Sequence, residues 1–261
     1  MNYLYGSNQF DAKNRILWKP ASGKSRNLDL IPVSYDSFIH TEVDTVLFFR
    51  NSNGNESAVV ILANPNIQLD RNTEIITGSH FEGVSLGVAL FTKHKDQWRL
   101  YGFQKHLINL GYFGEYRTGR EDQGHIYLRK LGNNWTALCF QQGIGGNTGD
   151  FSGKEIWYSI EKNAPEFEYE EEPNEINQYD YTALRQIFNY TYSHNYYFPD
   201  LDNQNVIKIN LSTLKTKSPL YDLKLDVEKS NYHVETNKLN TFSKKSIYFE
   251  FSKQLHLFVR K

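Results

Sequence analysis

Short apolar runs broken by turn residues recur from position 45 to 160, the spacing of a chain that folds into strands. Asp44 to Phe49 and Ala58 to Leu62 flank Asn51-Ser52-Asn53-Gly54-Asn55, whose Asn-Gly step suits positive φ and joins the two runs as a hairpin. Val84 to Lys93 and Gln97 to Phe103, separated by His94-Lys95-Asp96, form a second pair. Ile126 to Leu131 and Trp135 to Phe140, joined by Gly132-Asn133-Asn134, form a third, and Glu155 to Ile160 a further strand. These runs predict a sheet-rich, antiparallel unit over residues 1–160.

The texture changes after Ile160. Glu166, Phe167, Glu168, Tyr169, Glu170 and Glu171 lie in a run bracketed by Pro165 and Pro173. Like charges this dense repel one another, which predicts an exposed connection over residues 161–178. It reads either as a solvated linker or as an acidic, aromatic-bearing strip that contacts a basic partner. Beyond it, Asp180 is placed to cap a short helix near 180–192, with Ala183, Leu184, Ile187 and Phe188 on one face. From Val206 the period returns to two. Tyr221, Leu223, Leu225 and Val227 alternate with Asp222, Lys224 and Asp226. Ile247, Phe249 and Phe251, then Leu255, Leu257 and Val259, keep one parity, which predicts one buried and one wet face. Residues 179–261 are thus read as a helix plus strands, and the fold class as mainly β (α+β).

Charge narrows the functional classes. Lys+Arg 29 against Asp+Glu 30 gives a formal charge of −1, which leaves no bulk attraction to nucleic acid or anionic lipid. Over residues 201–261, however, eleven Lys/Arg stand against six Asp/Glu, so an acidic middle is followed by a basic tail. No apolar run is long enough to cross a membrane as a helix, and the first thirty residues lack the pattern of a signal peptide. Met1 is the only methionine, and Asn2 to Phe10 reads as polar and aromatic rather than as a core element. The compartment stays open between two expectations: cytoplasmic as the sequence is written, periplasmic if a signal peptide has been trimmed. Cys139, the one cysteine, sits in an apolar run and reads as a small buried thiol.

The chemical motifs fail one by one. Gly23-Lys24-Ser25 ends like a phosphate loop, but Trp18 stands where that loop needs glycine. The glycines from Gly143 to Gly153 match neither the phosphate loop nor the dinucleotide fingerprint, and read as a mobile turn or a partner-covering loop. His80-Phe81-Glu82 has the H-x-E form of zinc deaminases without the cysteine pair that chemistry needs. The eight histidines make no H-x-H pair and no H-E-x-x-H helix. No cofactor, metal site or catalytic set is therefore assigned. Glu115, Glu121, Asp122 and His125, with Trp98 or Trp135 as a stacking ring, keep a carbohydrate-binding or carbohydrate-cleaving envelope protein open as an alternative.

Gly78-Ser79-His80, Gly83 to Phe91, Trp98, Gly111-Tyr112-Phe113-Gly114, Gly124, Tyr127 and Trp135 together resemble uncharacterised bacterial envelope proteins, over residues 58 to 160. Relatives of that type often carry cysteines beside the histidine, and this chain has none there. In texture the whole chain also resembles immunity proteins that accompany interbacterial toxins of the type VI kind. That resemblance implies a non-catalytic protein-binding module that neutralises a cognate toxin by direct binding. Glu166, Phe167, Glu168, Tyr169, Glu170 and Glu171 are the expected contact residues, and the Gly143 to Gly153 segment a secondary one.

Overall fold

The computed structural model describes residues 2–5, 7–11, 13–19, 39–65, 67–70, 73–76, 83–110, 125–132, 135–145, 150–160, 184–195, 203–216, 220–233 and 235–261. They are dominated by antiparallel strands and fall into two units, Met1–Leu128 with Glu161–Arg185, and Arg129–Ile160 with Gln186–Lys261.

The first unit opens with one helical turn, α1 (Asn2–Tyr5), then β1 (Gln9–Phe10), β2 (Ile16–Trp18), β3 (Ile39–Arg50), β4 (Glu56–Asn64), β5 (Ile67–Asp70), β6 (Thr73–Ile76), β7 (Val84–His94) and β8 (Gln97–Leu110). A six-stranded sheet runs in the order β1-β2-β3-β4-β7-β8, and β5 and β6 form a separate two-stranded hairpin. The expected hairpins are present with their turn chemistry. Asn51 Oδ1 accepts from the backbone N–H of Asn53 and of Asn55, and Gly54 takes a φ of 78°. Between β7 and β8, Lys95 and Asp96 both take positive φ (46° and 64°), the geometry of a two-residue turn whose twist matches that of its strands.

Leu4 and Tyr5, in the stretch expected to lie outside the core, are buried. They pack with Ile16, Trp18, Ile39, Leu62, Ala89 and Phe103. The reason is amphipathicity over a single turn, too short to register as a pattern: one helical turn presents two adjacent apolar side chains to the sheet face.

The second unit follows β9 (His125–Lys130), a strand that spans the division between the units. It contains β10 (Thr136–Gly145), β11 (Asp150–Ser159), β12 (Arg185–Asn195), β13 (Asn203–Leu214), β14 (Asp222–His233), β15 (Lys238–Ser252) and β16 (Leu257–Arg260). One sheet has the order β12-β11-β10-β9 and the other β13-β14-β15-β16. Their facing sides meet through aromatic rings. Phe188 of β12 lies 5.0 Å from Trp157, 5.2 Å from Phe249 and 6.3 Å from Phe258, centroid to centroid.

The helix expected near 180–192 is absent from the described part of that range. Leu184 precedes β12, and Ile187 and Phe188 lie within it; Asp180 and Ala183 fall outside the described residues. Ile, Phe, Tyr and Thr crowd Arg185–Asn195, and such residues favour the pleated backbone. Phe188 and Tyr190, two apart, stack at 10° on one side of the strand, and Phe188 is held by rings of the facing sheet.

The C-terminal alternation needs a second correction. Ile247 and Phe249 are buried as expected, but in β16 it is Phe258 that is buried, while Leu255 and Leu257 are exposed. The four-residue turn between Ser252 and Leu257 pairs odd positions of β15 with even positions of β16, Phe251 with Phe258. The inward parity therefore switches at the turn. At both ends of the glycine-rich segment the chain is strand, Gly143 pairing with Gly153 and Gly145 with Phe151, which extends the β10/β11 ladder; residues 146–149 lie outside the described residues. Cys139 is a buried free thiol.

Candidate interaction surface

Register sorts the first unit's sheet into rows. Residues directly opposite one another across an antiparallel sheet share a face. One row reads Arg50, Glu56, Lys93, Trp98 from β3 to β8; the next Phe48, Ala58, Phe91, Leu100; the next Val46, Val60, Ala89, Phe103. Val43 stands opposite Leu62, on this same face, because a bulge between Val43 and Thr45 shifts the parity of β3. One end of the face is covered by Tyr5, Ile16 and Trp18. The other end is open: Phe48 is 69% exposed and Trp98 44%, and Val46, one row further in, is also exposed, while Val43, in the row of the buried Leu62, is 48% exposed. Phe48 and Trp98 belong to strands separated by two others, yet their rings are 6.1 Å apart. The face is therefore curved, and the two rings lean toward one another across β4 and β7.

Charged groups rim this open end. Lys93 Nζ lies 3.0 Å from Glu56 and 3.7 Å from Asp96. That pairing lowers the pKa of Glu56 and raises that of Lys93. Arg50 Nη1 donates to the Gly54 carbonyl at 3.3 Å.

The covered end holds a buried polar chain. Trp18 Nε1 donates to Thr41 Oγ1 at 2.7 Å, Thr41 Oγ1 donates to Asn64 Oδ1, and Asn64 Nδ2 donates to the Ser85 carbonyl at 3.0 Å. Ser85 Oγ meets His106 Nδ1 at 2.8 Å. The chain thus crosses from β2 to β8 through side chains on β3 and β4 and through the carbonyl and hydroxyl of Ser85 on β7. Burial, with Lys105 adding repulsion, pushes His106 down to about 4, so its imidazole is neutral at pH 7. Ser85 and His106 are both buried, and their contact ties β7 to β8 beneath Trp18, whose ring lies 5.6 Å from that of His106.

A second polar knot closes the β1/β2 turn. Asp11 Oδ1 accepts from the backbone N–H of Lys13 and of Arg15, both at 2.9 Å. Its Oδ2 accepts from Arg15 Nε at 2.5 Å and meets His40 Nδ1 at 2.8 Å. Desolvation would raise the Asp11 pKa, but the hydrogen bonds from His40, Arg15 and Lys13 outweigh it and hold the carboxyl well below the usual range.

Glu166, Phe167, Glu168, Tyr169, Glu170 and Glu171 lie outside the described residues, as do His80, Glu115, Glu121 and Asp122. Of the tryptophans, Trp18 and Trp157 are core and Trp98 is exposed. Among the described residues, no three His, Cys, Asp or Glu side chains gather in a metal-binding arrangement, and no helix is long and apolar enough to cross a membrane. Compared with known proteins, the chain matches no family model, no curated protein and no solved structure. Sequence reasoning missed Val43, Val46 and Phe48. Their signal was a strand apolar at both parities, Val46-Leu47-Phe48-Phe49, which only register divides into a covered and an open side.

Proposed function

We propose that this chain is a non-catalytic protein-binding module and, in its most specific form, an immunity protein that neutralises a cognate bacterial toxin by direct contact. The observation that carries the reading is the open apolar end of the first unit's sheet, where Phe48 and Trp98 stand together in solvent on the face that also exposes Val46 and Val43. Exposed large side chains are ordinary when scattered; four of them on one face of one sheet mark an interaction site. The immunity role itself rests on the textural resemblance of the sequence and on its segregated charge. Co-expression with the product of the adjacent gene tests it: the two proteins co-purify, and stoichiometric addition of this chain abolishes the toxin's activity. A toxin indifferent to the addition refutes the role.

The same ring pair supports a second reading. An exposed tryptophan beside an exposed phenylalanine is a stacking platform for a sugar ring. Under this reading, titration with cell-wall sugars shifts the emission of Trp98, and Trp98→Phe removes the shift.

A further inference from the structure

Arg50 differs from its neighbours on the open face. Lys93 is shared between Glu56 and Asp96, so the charges on β4, β7 and the β7/β8 turn are locally matched. Among the described residues, no carboxylate lies within 4 Å of the Arg50 guanidinium, which makes one long hydrogen bond to a carbonyl; its charge reaches Glu56, opposite it on β4, and helps lower that pKa, but Glu56 is hydrogen-bonded by Lys93. A guanidinium has five N–H donors in a fork that fits a carboxylate, so most of its donors face solvent. Arg50 lies two residues from Phe48 on the same face of β3, since Arg50 stands opposite Glu56 and Phe48 opposite Ala58. A cation that hydrogen-bonds no described carboxylate, and reaches Glu56 only through space, thus borders an exposed aromatic pair.

We propose that Phe48, Trp98 and Arg50 form one docking point for a protein segment in which an apolar side chain neighbours a carboxylate. The apolar side chain covers the Phe48 and Trp98 rings, and the carboxylate takes the free fork of Arg50. The local charge sets the sign of the partner: Arg50, Lys93 and Lys95 outnumber Glu56 and Asp96, and Arg50 shares Glu56 with Lys93, so a further carboxylate beside the rings is favoured. A basic segment meets repulsion there and a neutral one leaves Arg50 unused. The inference rests on the protein-binding reading and names the chemistry of the partner.

The test uses the whole chain, immobilised and panned against random peptides displayed on phage. Enriched peptides carry Asp or Glu within a few residues of an aromatic or aliphatic side chain. Synthetic versions lose about tenfold in affinity for Phe48→Ser and for Trp98→Ser, the scale of removing an aromatic anchor. Arg50→Glu selects basic peptides instead. All three substitutions are at exposed positions, and unchanged thermal melts confirm folding. Enrichment without acidic residues, or equal binding to wild type and the Phe48→Ser and Trp98→Ser variants, overturns the proposal. Toxin capture that survives Phe48→Ser and Trp98→Ser overturns this docking point and leaves the immunity reading standing; acidic peptides enriched by a chain that captures no toxin do the reverse.

Discussion

His106 is expected to make the chain's stability fall as the pH drops from 7 toward 4. Its imidazole is buried, with Nδ1 against Ser85 Oγ and its ring against Trp18. The folded pKa is pushed from 6.5 to about 4, so between these values the unfolded chain takes up a proton that the folded chain refuses. The stabilising contribution is complete above about pH 6.5 and is lost as the pH falls toward the folded value. A displacement of this size is worth about 3 kcal/mol at roughly 1.4 kcal/mol per unit, of which between about 2 and 3 kcal/mol has gone by pH 4.5. His106→Asn keeps a polar atom where Nδ1 meets Ser85 and removes the titration. Urea unfolding of both chains at pH 7, 6, 5 and 4.5 measures the difference. The variant is less stable at pH 7 because it loses the ring packed on Trp18, and the gap closes as the pH falls. Parallel losses in the two chains, or an NMR titration of His106 with a midpoint near 6.5, would refute the reasoning.

Three further outcomes follow from the same geometry. Asp11→Asn weakens the β1/β2 turn by about 2 kcal/mol at pH 7, the scale of charged hydrogen bonds to a part-buried carboxylate. Because the Asp11 pKa is lowered on folding, that difference shrinks as the pH falls below the ordinary aspartate value, and chemical denaturation of both chains over that range reads it. Gly87→Ala is destabilising by about 2–3 kcal/mol in the same assay, since the new Cβ would stand 2.4 Å from the Lys105 carbonyl oxygen and 2.9 Å from that of Gln104, both backbone atoms. Phe188→Ala removes a ring that touches Trp157, Phe249 and Phe258, and lowers the stability of the second unit by about 3–5 kcal/mol; near-ultraviolet circular dichroism across a melt reports the loss, and an unchanged midpoint would refute the packing.

What the sequence determined by itself was local. Its β class came from runs rich in Val, Ile, Phe and Tyr, and the Asn51–Asn55 turn from residues whose own chemistry sets the backbone; the positive φ of Lys95 is imposed by the strands it joins. The alternation of Leu223, Leu225, Ile247 and Phe249 named their buried side correctly, because a strand's period does not depend on its neighbours. What the tertiary structure decided was everything that depends on which strand lies beside which. Ile187 and Phe188 suit one face of a helix as written, and become strand because the facing rings of Trp157, Phe249 and Phe258 complete a core around them. Phe258 rather than Leu257 turns inward because the length of one turn sets the pairing of β15 with β16. Val43, Val46, Phe48 and Trp98 come from positions up to 55 residues apart, and no pattern along the chain gathers them. A bulge in β3 and the curvature of the sheet do, since side chains meet across strands at distances that only register and twist fix.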